Sequence, residues 1–409
     1  MTKCTLESLA TFPKLVAAWQ EYWRDVRTQR SSGVDGVTPA HFNHGLQRNL
    51  HALRLQLLQG YRFDLLVAHP VPKPDGKKDR IICVPTVRDR LVQRLVGAHL
   101  SVRGERLGIV NDVSYGFVRS TDGKPRGVGA ALGRAIGLRR QYPWAYKSDI
   151  SSFFDRIPRD ILFDKVVRTL RTPSLNKILH GAINCEIDVG RPAIRRKVQR
   201  AGIKPGQGVR QGMPLSPFFA NIILKDFDRK FLSKGFHLVR YADDFIVLAQ
   251  SEVECTQVDI AARNILGKLG FDIPEIGDAG GKTRICEPDQ SVDFLGLSLA
   301  PVTGGDYALM ITPAQLEKIK RTLYQLKDLD YLQREGINII NLSRTLENKI
   351  GGYRSAYPAK LVANSDDLIN ILDRAKAEIF TNIFGSIFGH KAIARLNQSE
   401  KRFLCLDNL

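Results

Sequence analysis

Leu238-Val239-Arg240-Tyr241-Ala242-Asp243-Asp244-Phe245-Ile246-Val247-Leu248-Ala249 is a pair of strongly apolar runs interrupted by two acids. Asp is disfavoured in strands and common in turns, so the stretch predicts a β-hairpin with Asp243 and Asp244 at its tip. In an arbitrary sequence two such acids are most simply a plain turn. Inside so apolar a hairpin, however, consecutive carboxylates repel, and a bound dication relieves the repulsion. Hard Mg²⁺ takes a few carboxylates plus substrate phosphates, and two such ions clamp the attacking and leaving oxygens of an in-line phosphoryl transfer. Ala145-Tyr146-Lys147-Ser148-Asp149-Ile150 reads as a further short strand ending in an acid. Packed beside the hairpin, it would bring Asp149 against the Asp243-Asp244 tip.

The charge balance points the same way. Lys and Arg number 61 against 42 Asp and Glu, a net charge of +19 with a pI near 9.8 in 409 residues. Such an excess favours polyanions, because each phosphate contact releases condensed counterions. Nucleic acid is favoured over a membrane surface, since no Lys/Arg-rich amphipathic segment has a Trp/Phe face. No apolar run approaches the roughly 20 residues needed to span a bilayer, and Met1-Thr2-Lys3 opens no signal peptide. The six Cys are scattered without a C-x-x-C pair. They read as reduced thiols in a cytosol, which predicts a cytoplasmic protein without zinc.

Around the hairpin, residues 1–30 and 40–59 read as helices, separated by a turn-rich break at 31–39. Val67 to Val84 predicts a second hairpin turning at Lys73-Pro74-Asp75-Gly76. Thr86 to Leu100 reads as a basic amphipathic helix, and 105–300 as short strands alternating with helices. Pro301 to Asp306 reads as a Gly/Pro linker before a mostly helical 311–409. The divisions expected are 1–145, 146–300 (with an insertion at about 160–205) and 301–409.

In order and content these motifs resemble the reverse transcriptases. Ser148-Asp149-Ile150-Ser151-Ser152-Phe153-Phe154 is similar to their first palm motif and Gln211-Gly212-Met213-Pro214-Leu215-Ser216-Pro217 to the second. Tyr241-Ala242-Asp243-Asp244 is similar to the catalytic signature and Phe294-Leu295-Gly296-Leu297 to the primer grip. Gly33-Val34-Asp35-Gly36, Pro72-Lys73-Pro74-Asp75-Gly76 through Arg80, and Pro85-Thr86-Val87-Arg88-Asp89-Arg90 resemble the group II intron branch of the bacterial enzymes. The likeness implies an α+β right-hand polymerase. It would have fingers, a palm of antiparallel sheet with helices on one face, and a helical thumb.

It also implies roles. Asp149, Asp243 and Asp244, with Ile150 beside them, would hold two Mg²⁺ (or Mn²⁺) ions. Ile150 is also placed among the substrate contacts. Gln211 would sit under the incoming nucleotide, unless it is an ordinary polar group of a loop that Gly206, Gly208 and Gly212 already mark. Lys73 and Arg80 would grip the triphosphate, or lie on a solvated hairpin face; Arg suits phosphate through its planar fork. Phe154 falls where the family places a ring against the sugar 2′ position, which would exclude ribonucleotides. If the segment is extended, adjacent Phe153 and Phe154 face oppositely and one of them is core. Lys282 aligns with a lysine that protonates leaving pyrophosphate; an exposed loop lysine is the alternative.

Toward the C-terminus, Lys349 to Tyr357 loosely resembles group II thumb helices but lacks their usual Trp near Gly352. The Asn-Ala-x-x-His element of retron enzymes is not found, although Val302-Thr303-Gly304 in the expected linker resembles another retron element, and no Cys/His-rich endonuclease domain is expected. The expectation is a free-standing enzyme that copies a structured non-coding RNA into a DNA product from deoxynucleotide triphosphates, in antiviral defence. A maturase, an RNA-binding splicing cofactor, is the alternative. Arg88, Arg90, Arg94, Arg103, Arg191, Arg195, Arg196, Lys197, Arg200, Lys318, Lys320 and Arg321 are the cations expected to meet RNA.

Overall fold

The computed structural model describes residues 5–27, 31–72, 78–278 and 282–403. The chain divides into two compact units, Met1–Ala131 with Tyr146–Ile285, and Leu132–Ala145 with Cys286–Leu409.

In the first unit the helix Phe12–Val26 starts with Pro13 in its first turn, where a missing N–H costs nothing. Leu15, Trp19, Tyr22 and Val26 recur at helical spacing and are buried. Strands β1 (Val67–Pro72) and β2 (Asp79–Val84) pair antiparallel from Val67↔Val84 to Pro72↔Asp79. Their predicted turn, with Lys73, lies outside the described residues. Thr86 caps the next helix, Val87–Ser101, by accepting the Asp89 N–H.

That helix corrects the sequence reading. It is a core element, not an amphipathic one: Asp89, Arg90 and Gln93 are buried along with Leu91, Val92, Leu95 and Val96. Its cations are spent internally. Arg88 pairs with Asp64 at 2.6 Å, Arg90 donates to the Ser31 carbonyl, and Arg94 lies 4.7 Å from the Tyr22 ring centre. Helical periodicity cannot distinguish a solvated Arg from one satisfied by distant partners, since both recur with the same spacing.

A four-stranded sheet organises this unit: β3 (Trp144–Asp149), β4 (His237–Tyr241), β5 (Asp244–Ala249) and β6 (Arg284–Cys286), in the order β4-β5-β3-β6. The helix Ser216–Ser233 packs on β4 and Glu252–Gly267 on β5. Successive strand residues face opposite sides, yet Phe245 to Ala249 are all buried, so β5 is covered on both faces. Each such Phe, Ile or Leu contributes about 1.5–3 kcal/mol by leaving water. That burial holds the strand ends in place.

The second unit carries a meander of β7 (Val292–Phe294), β8 (Leu297–Pro301) and β9 (Tyr307–Met310), followed by the helices Pro313–Tyr324, Ile339–Ala356 and Ser365–Phe388. At the β7–β8 turn Leu295 and Gly296 have φ of 51° and 85°, the positive pair that a two-residue hairpin loop favours. The expected Gly/Pro linker is a second correction. Pro301 pairs with Tyr307, and Val302 N–H donates to the Asp306 carbonyl at 2.9 Å, so 302–306 is a hairpin loop. Gly-Gly serves a tight turn as readily as a linker, and a boundary at 300/301 falls inside this hairpin. Among the described residues no helix is long and apolar enough to cross a membrane.

Candidate active site

The hairpin predicted from Leu238 to Ala249 is present, with Tyr241 paired to Asp244. Ala242 and Asp243 form its two-residue loop, and Ala242 takes φ 58°. Asp244 is therefore the first residue of β5 rather than part of the turn. The Ile150 N–H donates to the Asp243 carbonyl at 3.2 Å. This bond ties the end of β3, and with it Asp149, to the tip. Adjacent β6 delivers the third contributor: Ser148 and Thr283 hydroxyls share a 2.7 Å hydrogen bond, and next to Thr283 the Lys282 ammonium is ion-paired with Asp149. Lys147 pairs with Asp244 at 3.0 Å.

Burial, then repulsion from Asp149 and Asp244, pushes the Asp243 carboxyl above the usual range. Asp244 is also raised, by burial that outweighs the attraction of Lys147. Burial opposes the charge on Lys282, but the Asp149 hydrogen bond and the surrounding acids hold its pKa above the ordinary lysine value. Among the described residues no three His, Cys, Asp or Glu side chains are gathered as a ready metal-binding cluster. Two of the three carboxylates here are drawn to lysines instead. The donor set nevertheless fits a hard dication. It is all oxygen and poorly solvated, and its acids are mutually repelling, which is the condition a divalent charge relieves.

The remaining expected residues are distributed as follows. Arg80 is exposed on β2 while Ile81 and Cys83 are buried on the opposite face. The Gln211 carbonyl accepts the Cys83 N–H at 2.7 Å, which docks the Gln211 loop on β2. Gly212, at φ 98°, fits because a Cβ there would stand 2.5 Å from the Cys83 carbonyl. Gly208 is similarly required, its Cβ position 2.5 Å from the Asp155 carbonyl, whereas Gly206 faces open space. Phe153–Arg156 is a helical turn, not extended chain. Phe153 is core and Phe154 half-exposed, so the two rings separate by helical rotation rather than strand alternation. The Phe154 carbonyl accepts the Val209 N–H at 2.7 Å, joining the Gln211 loop to the first motif.

Sequence reasoning missed the group that holds the tip. Arg240 is fully buried and forks onto Asp228 with two 2.6 Å hydrogen bonds. It also donates to Ser114, Asn221 and the Ala242 carbonyl, the last at 2.9 Å. Gly116 lies under the tip, where an added Cβ would stand 2.6 Å from the Ala242 nitrogen. The available signal was an Arg within an apolar strand, since a buried guanidinium requires partners.

The sheet, the hairpins and the helical second unit are those of a right-hand polymerase. A profile of the family described as reverse transcriptase (RNA-dependent DNA polymerase) matches residues 71–299, more than half of the chain. The chain belongs to the reverse transcriptase family. Protein YkfC of Escherichia coli strain K12 is 31% identical over 226 residues, 54% of this chain and 55% of that one. The chain thus spans about half the length of the curated relative it matches. Among solved structures, a partial Cas6-RT-Cas1–Cas2 complex is 23% identical, covering 65% of this chain and 42% of that one at a TM-score of 0.35. Telomerase from Candida albicans, in complex with a fragment of telomeric RNA, is 15% identical, covering 84% and 63% at a TM-score of 0.37.

Proposed function

We propose that the chain is an RNA-directed DNA polymerase whose site is built on Asp149, Asp243 and Asp244. The observation that carries this reading is the bond from Ile150 to the Asp243 carbonyl, which joins the two acidic strand ends. Asp149, Asp243 and Asp244 would hold two Mg²⁺ or Mn²⁺ ions, with Ile150 at the same strand end. Bound there, they would supply charge neutralisation for the attacking and leaving oxygens. Lys282, kept protonated by its acidic neighbours, carries a proton at Nζ for the departing pyrophosphate. The exposed Arg80 offers its fork to the triphosphate, and Gln211 is positioned by β2 to underlie the nucleotide. Metal-dependent extension of a DNA primer on an RNA template tests the reading, and wild-type protein that extends nothing refutes it.

Phe154 supplies the selectivity. A ring against the sugar leaves no room for a 2′-hydroxyl, so Phe154→Val raises ribonucleotide use relative to deoxynucleotide use by about 10- to 100-fold, the scale of one steric contact in a pocket. Matched ribo- and deoxynucleotide incorporation measures the ratio. An unchanged ratio assigns the gate elsewhere.

The substrate we infer is a structured non-coding RNA, with a role in antiviral defence. Its cationic footprint is narrower than the sequence suggests. Arg88, Arg90 and Arg94 are engaged internally, whereas Arg195, Arg196, Lys197 and Arg200 are exposed on the helix Pro192–Ala201. Val198 faces inward there. At 100° per residue Arg196 and Arg200 fall on the opposite crest. Substituting both by Ala lowers the salt slope of RNA binding by about 1.4 to 1.8, two phosphates' worth. Binding titrations across salt measure this, with co-purified RNA competing against bulk RNA of equal length. An unchanged slope would exclude that helix, and equal affinities at every salt would exclude a dedicated RNA.

A further inference from the structure

Phe117 combines strain, exposure and position in a way the core does not explain. Its φ of 60° lies in the left-handed region, which a bulky side chain rarely occupies. It is 50% exposed, and its ring centre is 5.9 Å from that of Tyr241 in the acidic hairpin. Strain of this kind persists only where neighbouring structure over-determines the backbone, and it gathers at functional sites. Here the segment before Phe117 is fixed at several points. Arg240 N–H donates to the Val113 carbonyl and Tyr115 N–H to the Arg240 carbonyl, while the Asn221 amide donates to the Gly116 carbonyl. Gly116 itself is pressed against the hairpin backbone.

The ring borders an open cleft of about 700 Å³, large enough for a nucleotide. Pro214 of the Gln211 loop forms one side, and Lys14 and Arg119 supply positive charge. Arg119 meets Glu21 at 3.5 Å, with both side chains largely in solvent. Such exposed pairs are weak and exchange readily for phosphate. Two buried groups of the lining, the Tyr22 hydroxyl and the Gln93 amide nitrogen, have no hydrogen-bond partner among the described residues. An exposed aromatic face beside exchangeable cations is the chemistry that receives an unpaired base with its phosphate.

We propose that Phe117 is the stacking platform for an unpaired nucleobase of single-stranded nucleic acid lying in this cleft. The proposal deepens the polymerase reading and rests on it. The discriminating variant is Phe117→Gly. Glycine accepts φ 60° without strain, so the substitution removes the ring while relieving the backbone. Affinity for a single-stranded oligonucleotide carrying 2-aminopurine should fall by about 5- to 150-fold, the worth of one base stacked on a ring. The quenching of the probe should be lost, the thermal midpoint should stay level or rise, and Phe117→Trp should retain affinity and quenching. Ribo- and deoxyoligonucleotide arms identify the strand: a loss confined to one assigns the platform to that strand, and equal losses assign it to the base alone. Unchanged affinity and quenching in Phe117→Gly overturns the proposal. So does a thermal midpoint that falls in step with affinity, which would make Phe117 a core residue. Primer extension by wild-type protein separates the two ideas. Extension with unchanged Phe117→Gly affinity removes the platform alone, whereas no extension with lost affinity leaves a nucleic-acid site without the polymerase.

Discussion

Asp243→Asn lowers primer extension by on the order of 10³-fold or more, about 4 kcal/mol of transition-state stabilisation, while raising the thermal midpoint by a few degrees. The two effects share one cause. Burial and the charges of Asp149 and Asp244 raise the Asp243 pKa in the fold. A carboxyl with a raised folded pKa stabilises the protein below its unfolded value, and that contribution is lost as pH rises through the folded value. At neutral pH the ionised group is therefore a strain on the fold that Asn removes. What Asn cannot do is hold a divalent ion. Millimolar Mg²⁺ should accordingly raise the melting temperature of the wild type at pH 7 and leave that of Asp243→Asn nearly unchanged. Asp244→Asn loses activity as well, with a smaller stability gain, because the 3.0 Å contact with Lys147 offsets part of the cost of burying that carboxylate. Thermal scans with and without Mg²⁺, run beside extension assays, check all of these outcomes. Extension at the wild-type rate by Asp243→Asn would refute the assigned site.

Asp228→Asn and Arg240→Met each destabilise the protein by about 3–5 kcal/mol, seen as a melting temperature lower by on the order of 10 °C. Both side chains are 1% exposed, so removing one leaves the other charged, buried and unpaired. Replacing the pair with apolar residues, Arg240→Met with Asp228→Leu, restores much of the stability, because well-packed apolar groups substitute for a buried ion pair at little net cost. Extension does not recover in step. Arg240 also holds the Ala242 carbonyl at the left-handed position of the tip, and no apolar residue replaces that hydrogen bond. A double-mutant cycle in denaturant measures the stability coupling. Recovery of both stability and extension in the double variant would reduce Arg240 to packing and remove its part in positioning Asp243.

The contrast between Asp243 and Arg240 marks how far local sequence goes. Asp243 and Asp244 were legible because acids breaking two apolar runs leave a mark within a dozen residues. Phe154 was singled out because the family places a ring at that position, and strand alternation implied only that one of Phe153 and Phe154 is core. The segment is a helical turn that separates the rings by rotation, so the half-exposed ring followed from other geometry than the sequence had offered. Lys147, which faces Asp244, was not singled out, although it lies two residues before Asp149.

By itself the sequence determined the acidic hairpin, the strand that ends in Asp149, the β1–β2 hairpin and the order of motifs that places the chain in its family. All of these are written in turn chemistry and in strand or helix periods, which act over a few residues. Only the tertiary structure decided which cations are exposed, where 302–306 turns back as a hairpin loop, and what holds the acidic tip. Arg94 lies 69 residues from the Asp25 it pairs with, and Ser114 and Asn221, which both meet Arg240, are 107 apart. Partnerships at that separation leave no local pattern, because a side chain's charge is fixed by its type, whereas its solvation and partner are fixed by the fold that brings distant segments together.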